Sequence, residues 1–330
     1  MIFNQPVGES MSKALREVVK MTQLRNGGWP KGFRIELAFE EKYSEKDGPS
    51  ASVACGLLLD ALITGKQSDP LFAVTGDLNA DGEVQPIGGV PAKIRGATNG
   101  SCKFVALPSK NETSLPDLLL LDGPAPFAGI QVFSIARFDD AAALAAPEKS
   151  GDLKTAIDLF TQIQQVLNRD RSQIGAWLHN AFVVNKLRDV LKAAPNHMSA
   201  KYLLLYAEGR APTTISLSGS IDGIETDATG LVAAIKNKSD DPLAILKKDG
   251  IADSISRLKA LRPRCDLRTR PYADALIRFG EVVRDVKNLP PSSKPGILDA
   301  KRRINGSADA VQGEWNKLIG DPKILEELKQ

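Results

Sequence analysis

Ser50, in Asp47-Gly48-Pro49-Ser50-Ala51, and Lys93, in Pro86-Ile87-Gly88-Gly89-Val90-Pro91-Ala92-Lys93, are the residues of this 330-residue chain whose types and settings could do chemistry together. A serine hydroxyl becomes a nucleophile when a base takes its proton, and lysine serves as that base only when its amine is neutral near the working pH. Free lysine titrates near about 10.4, and burial among apolar groups lowers that value by up to about 3–5 units. Lys93 is surrounded in sequence by Ile87, Val90, Pro91, Ala92 and Ile94, and no acid lies within five residues of it. Pro91 marks a second helix start, whose positive end also disfavours a cation.

The elements around Ser50 fit the same chemistry. Gly48 can turn tightly and Pro49 suits the first position of a helix, which places Ser50 on the opening turn of the apolar run 51–64. Backbone N–H groups lack partners on such a turn and can hold the negative oxygen that develops when a peptide carbonyl is attacked. Taken singly, Ser50 is also what a helix N-cap requires, and Lys93 is also what an amphipathic helix shows to solvent.

The pair lies within a longer pattern. Lys46-Asp47-Gly48-Pro49-Ser50-Ala51, then Thr75-Gly76-Asp77-Leu78, then Pro86-Ile87-Gly88-Gly89 with Lys93, then residues 108–111, resembles the proteolytic domain of Lon proteases in order and spacing. The likeness extends to Val7-Gly8-Glu9-Ser10-Met11 and covers roughly residues 4–140. The resemblance implies a Ser-Lys dyad of Ser50 and Lys93, with Thr75 bonding and orienting the lysine amine. Asp47, with Gly48 and Pro49, belongs to the loop whose rearrangement opens or blocks the site in family members. It implies an α+β, Lon-protease-like proteolytic domain (ribosomal protein S5 domain 2-like) over residues 1–146, followed by an all-α helical accessory domain over 152–330. It also implies a bacterial serine endopeptidase acting on unfolded proteins or peptides, without cofactor or metal, assembled as a homo-oligomer, hexameric by family analogy; a cytoplasmic location is the expectation from the unpaired cysteines. The alternative is a binding or assembly module that keeps the fold but no longer cleaves.

Two departures stand out. The family usually has Gly two residues after the nucleophile, whereas this chain has Ser52; a rotation of about 200° over two helix positions turns Ser52 away from the side of Ser50. The β-hairpin that opens the family's domain is expected to be missing or trimmed. The phosphate-loop pattern Gly-x4-Gly-Lys-Ser/Thr is absent from the sequence, so cleavage is expected to be ATP-independent unless a separate ATPase partners the chain.

Composition agrees with a soluble globular protein of two domains, at 42% hydrophobic and 25% charged residues. No apolar run is long enough for a membrane span and no signal peptide is visible. Cys55, Cys102 and Cys265 are an odd, widely spaced set, which fits reduced thiols and core packing. Residues 1–150 carry net charge −3 and residues 151–330 carry +6, the excess concentrating in Arg257, Lys259, Arg262, Arg264, Arg268 and Arg270. Aromatics are lacking between those residues and Asp266 interrupts them, so a solvated or partner-facing surface is expected there and not a nucleic-acid site.

Periodicity predicts a helix over 10–26, a strand over 33–40, the nucleophile helix over 51–64, and strands over 72–74 and 83–85 joined by the turn 79–82. A helix carrying Lys93 follows, then strands over 103–107 and 130–135. Beyond a boundary near 145–151 the pattern is helical over 153–168, 172–194 and 198–209, with 191–200 resembling a tetratricopeptide junction. A Ser/Gly/Thr-rich connection is read over 213–225, then helices over 241–330 broken at Pro263, Pro271 and Pro290-Pro291. Asp77 to Gly82 copies the first half of a calcium loop, but Gly88 stands where its twelfth-position Glu belongs. A Ser-His-Asp triad would need His179 or His197 to reach across from the helical half.

Overall fold

A computed structural model describes residues 2–32, 34–40, 47–236, 248–288 and 294–328. The chain forms two compact units, Met1–Ala211 and Pro212–Gln330. The first unit is mixed helix and sheet. It runs β1 (Ile2–Phe3), α1 (Glu9–Asn26), β2 (Glu36–Leu37), α2 (Ser52–Thr64), β3 (Phe72–Val74), β4 (Asp77–Leu78), β5 (Val84–Gln85), α3 (Val90–Asn99) and β6 (Phe104–Pro108). It continues through α4 (Leu115–Asp122), α5 (Ala125–Gly129), β7 (Gln131–Ile135), α6 (Phe138–Ala145), α7 (Gly151–Leu167), α8 (Ile174–Leu178), α9 (Ala181–Ala193) and α10 (Met198–Ala207).

A parallel sheet of order β3-β6-β7 lies at its centre, with β6 and β7 buried at every position. Burial on both faces explains why β6 reads as a continuous apolar run, whereas β7 also buries Gln131 and Ser134. The hairpin differs from the sequence expectation: β5 pairs antiparallel with Asp77–Leu78, while Phe72–Val74 belongs to the parallel sheet. Thr75 and Gly76 break the strand between the two pairings, so one apolar run serves two sheets. The predicted strand over 33–40 shrinks to β2, paired parallel with β1, and Phe33 lies outside the described residues.

The first unit does not end near 145–151. Ala156, Ile157, Phe160, Ile163, Leu187, Leu203 and Leu204 join one core with Val53, Val105, Phe133 and Leu144. A polar seam supports that core. Asn196 and Ser134 exchange backbone and side-chain bonds, Ser134 N donating to Asn196 O at 3.0 Å and Asn196 Nδ2 to Ser134 O at 2.9 Å. Ser199 Oγ accepts from Val132 N at 2.9 Å and donates to Ile130 O at 2.7 Å. The junction that resembles a tetratricopeptide corner therefore satisfies the backbone of β7, the edge strand of the parallel sheet, which would otherwise expose orphan polar groups.

His197 completes that seam. It is fully buried between Phe133 and Phe160, its Nδ1 accepts from Ala200 N at 3.1 Å, and its Nε2 bonds Gln131 Oε1 at 3.1 Å. With the ring N–H on Nε2, both nitrogens are satisfied in the neutral form. Burial lowers its pKa to about 3.

The second unit is helical: α11 (Leu217–Asp227), α12 (Thr229–Lys236), α13 (Lys248–Leu261), α14 (Arg270–Asn288), α15 (Lys294–Gly320) and α16 (Pro322–Leu328). The connection expected over 213–225 is mostly α11. Ser216 caps it, accepting from Gly219 N at 3.1 Å, and Leu217, Ser220, Ile221 and Ile224 face inward, so small polar residues here serve a cap and a close packing face. A 3₁₀ turn over Arg262–Arg264 breaks the chain at Pro263 as expected, but Pro271 lies in the first turn of α14, where its missing N–H costs nothing. Pro290 and Pro291 lie outside the described residues. Four of the six residues of the basic cluster are matched by carboxylates, Arg257 with Asp227, Lys259 with Glu281, Arg262 with Asp274, and Arg268 with Asp266 and Glu327, while Arg270 donates to the carbonyls of Cys265 and Pro263.

Candidate active site

Ser50 lies in a 3₁₀ turn, Pro49–Ala51, that runs into α2. The turn starts at Gly48, whose φ of 99° a side chain would resist. Its carbonyl is held twice from the segment after β3: Gly76 N donates to Ser50 O at 2.9 Å, and Thr75 Oγ1 donates to it at 3.2 Å. Gly76 O in turn accepts from Val53 N at 3.3 Å. This double stitch needs glycine at 76, because an added Cβ would meet Val84 Cγ1 at 2.8 Å and Val53 Cγ2 at 3.0 Å. The nucleophile turn is thus fastened to the sheet through its own backbone, and the Ser50 side chain is left half-buried.

Ser52 is turned inward and is 1% exposed; its hydroxyl donates to Pro49 O and lies 3.2 Å from Asp77 Oδ1. The extra atoms that distinguish it from glycine brace the turn from behind. Asp47 is exposed and ties the same turn to α1, accepting from Met11 N at 3.1 Å. Bonds from the backbone of Gly48, Met11 and Ser10 hold its carboxyl below the usual carboxylate range. Lys46, the first residue of the motif, lies outside the described residues.

Lys93 sits half-buried in the second turn of α3, with Pro91 in the first. Desolvation lowers its pKa from the ordinary lysine value. Its Nζ donates to Gly88 O at 3.0 Å, and no carboxylate pairs with it among the described residues. A neutral carbonyl as partner preserves the tendency to lose the proton, where an ion pair would suppress it. Two expected side-chain bonds are not formed: among the described residues Ser50 Oγ is not hydrogen-bonded to Lys93 Nζ, and Thr75 directs its hydroxyl to the Ser50 carbonyl instead of the lysine amine. The hydroxyl of Thr75 therefore positions the serine in this structure.

One positioning residue had only a motif boundary as its sequence signal. Asn111 is 5% exposed and clamps Ile87 from both sides, its Oδ1 accepting from Ile87 N at 2.9 Å and its Nδ2 donating to Ile87 O at 2.8 Å. A groove of about 250 Å³ lined by Met21, Leu24, Arg25, Gly82, Arg137 and Phe138 includes none of Ser50, Thr75 or Lys93. No group of His, Cys, Asp and Glu suited to a metal occurs among the described residues.

Residues 9–121, which contain Ser50, Thr75, Lys93 and Asn111, match the family described as the Lon protease (S16) C-terminal proteolytic domain. This segment is a Lon proteolytic domain. Curated Lon proteases are similar to parts of this chain. That of Koribacter versatilis is 29% identical over 177 residues, covering 48% of this chain and 21% of the relative. That of Methanosarcina barkeri is 42% identical over 73 residues, or 22% and 9%. That of Lachnoclostridium phytofermentans is 35% identical over 106 residues, or 32% and 13%. The chain thus spans about a fifth or less of the length of these relatives. The matched Lon segment ends within α4, so α7 to α10, which complete the core and cover β7, lie beyond it.

Proposed function

We propose that the chain is a Lon-like serine endopeptidase in which Ser50 is the nucleophile and Lys93 its general base. The observation that carries this reading is the setting of Lys93: half-buried, desolvated, paired among the described residues only with a neutral carbonyl, and borne near the start of α3 within the Lon domain that also holds Ser50. In the proposed reaction Ser50 Oγ attacks the peptide carbonyl carbon as Lys93 Nζ takes the hydroxyl proton. Backbone N–H groups on the opening turn stabilise the resulting oxyanion. Collapse breaks the C–N bond, and the departing amine takes the proton from Lys93. Water then attacks the acyl-serine, giving its proton to Lys93, and Ser50 recovers it as the carboxylate leaves.

This reaction requires the Ser50 hydroxyl and the Lys93 amine to come within hydrogen-bond reach, and tightening of such contacts on substrate binding is common. A non-cleaving module is the second reading, and the missing Ser50–Lys93 bond is what favours it. Unfolded proteins and peptides are the proposed substrates, cleaved without ATP by this chain alone. A homo-oligomer, hexameric by family analogy, a cytoplasmic location and a separate ATPase partner belong to the same proposal. Incubation of the purified chain with unfolded casein, beside Ser50→Ala and Lys93→Ala, decides between the readings. Cleavage by the native chain and by neither variant supports the peptidase. An inert native chain favours the module, and a variant that cleaves as well as the native chain refutes the dyad.

A further inference from the structure

We propose that Asn111 is a positioning residue for Lys93, and that α10, outside the matched family segment, sets Asn111 through Glu112. The inference rests on the reading of Lys93 as base and adds to it the route by which the helical extension serves the site.

Among the described residues Lys93 is directed by one side-chain hydrogen bond, to the carbonyl of Gly88. That carbonyl can only be as well placed as the peptide unit preceding it. Ile87, its neighbour, is bonded through both N–H and C=O to one carboxamide, that of Asn111. Of the common side chains, only a primary amide offers a donor and an acceptor side by side at this spacing, so it acts as a one-residue strand partner for Ile87. Fixing both polar groups of Ile87 fixes the direction in which the next carbonyl points, and with it the lysine.

Asn111 is in turn held by what surrounds it. It lies in the 3₁₀ turn Ser109–Ser114, and the next residue, Glu112, is gripped by α10 at two atoms. Tyr202 Oη donates to Glu112 O at 3.0 Å, and Lys201 Nζ donates to Glu112 Oε2 at 2.9 Å. Tyr202 is buried and stacks on Phe127 with ring centroids 5.2 Å apart, so its hydroxyl has little freedom to wander. The start of α10 is fastened to β7 through Ser199 and to Gln131 through His197. A continuous chain of bonds therefore runs from the sheet edge through α10, Glu112, Asn111 and Ile87 to the carbonyl that holds Lys93. The helices after α6 are by this inference a scaffold for the base, and misplacement of a catalytic group by about 1 Å can cost on the order of a hundredfold in rate.

The test uses the full chain, a short fluorogenic peptide, and rates normalised to the Ser50 sites titrated by a serine-directed reagent. Asn111→Ala should lower kcat by about a hundredfold with KM within about threefold, because the loss falls on the chemical step. Asn111→Asp, which keeps the acceptor for Ile87 N–H but sets a second oxygen against Ile87 O, should not recover that rate. Tyr202→Phe removes one hydroxyl from α10 and should lower kcat by about threefold to tenfold while the chain stays folded. The pH at which kcat rises should move in Asn111→Ala, a change that a merely structural role does not produce. Unaltered kcat and pH profile per titrated site in a folded Asn111→Ala overturns the inference. If both Asn111 variants fail to fold, Tyr202→Phe decides, and a native kcat there overturns it. Ser50→Ala separates the two levels: turnover in that variant refutes the dyad itself, whereas inert Ser50→Ala and Lys93→Ala beside native rates in Asn111→Ala and Tyr202→Phe refute only the positioning route.

Discussion

Thr75→Val separates two roles for the Thr75 hydroxyl that make different numerical demands. In the structure it is the second of two donors to Ser50 O, at 3.2 Å, behind Gly76 N at 2.9 Å. Valine keeps a branched stem in this buried position and removes only the hydroxyl. The Ser50 carbonyl keeps its bond from Gly76, so the loss is the net value of one hydrogen bond, about 1 kcal/mol, and not the larger cost of an orphaned acceptor. If all of that energy steadies Ser50 in its attacking position, kcat falls by about fivefold. If it is spent on the folded state, the melting temperature of a unit this size drops by about 2–4 °C. Steady-state turnover of a fluorogenic peptide and a thermal melt, with Thr75→Ser as the variant that retains the hydroxyl, measure both. A loss of a thousandfold or more would mean that Thr75 bonds the lysine amine in the working enzyme and that the bond to Ser50 O is incidental. Native values of both quantities would remove Thr75 from the site altogether.

Three other outcomes are expected. A chain ending at Ala211 should fold and cleave short peptides, whereas one ending at residue 150 should fail to fold, because α7, α9 and α10 share the core of the sheet; circular dichroism and peptide turnover check this, and a folded, active 1–150 fragment would contradict it. Lys93→Met should be inactive yet at least as stable near neutrality: folding depresses this lysine's pKa, so its charged form opposes stability most below the folded value, and that cost fades as pH rises toward the free value. A clearly less stable methionine variant, together with a native pH-rate profile flat from acid to alkaline conditions, would make Lys93 a charged structural residue. His197, held neutral with its pKa lowered to about 3, should make stability fall as pH drops from about 6.5 toward the folded value, because the unfolded chain takes up the proton first. Denaturant midpoints that show no such acid limb attributable to His197, compared with His197→Gln, would contradict that reading.

The site was legible where chemistry needs particular residue types. Ser50 after Gly48-Pro49 and Lys93 after Pro91 each follow residues that start a helix, and the structure places Ser50 in the turn that opens α2 and Lys93 near the start of α3. What sequence could not show is where side chains send their bonds. Thr75 could equally serve the lysine or the serine carbonyl, and only the packing of β3 against the nucleophile turn decides it here. Residues 72–85 misled because two short apolar stretches alternate alike, while the close approach at Gly76 that separates their sheets is a tertiary matter. The unit boundary was missed for a related reason. The segment 145–151 has a linker's composition, yet α7 folds back, and Asn196 and Ser199 complete the edge of β7 through bonds spanning more than sixty residues. The 213–225 stretch shows the converse, since a Ser cap and small packing residues look like a loop until the apolar positions 217, 221 and 224 are seen to share a face.

In the proposed reaction Ser50 carries the acyl group and Lys93 removes its proton. Mass spectrometry of the chain quenched during turnover of an activated peptide ester tests it most directly. An acyl adduct on the peptide containing Ser50 is expected in the native chain and none in Ser50→Ala, with accumulation slowed by on the order of a thousandfold or more in Lys93→Met. An adduct on Ser52 or elsewhere, or acylation of Ser50 at the native rate without the Lys93 amine, would contradict it.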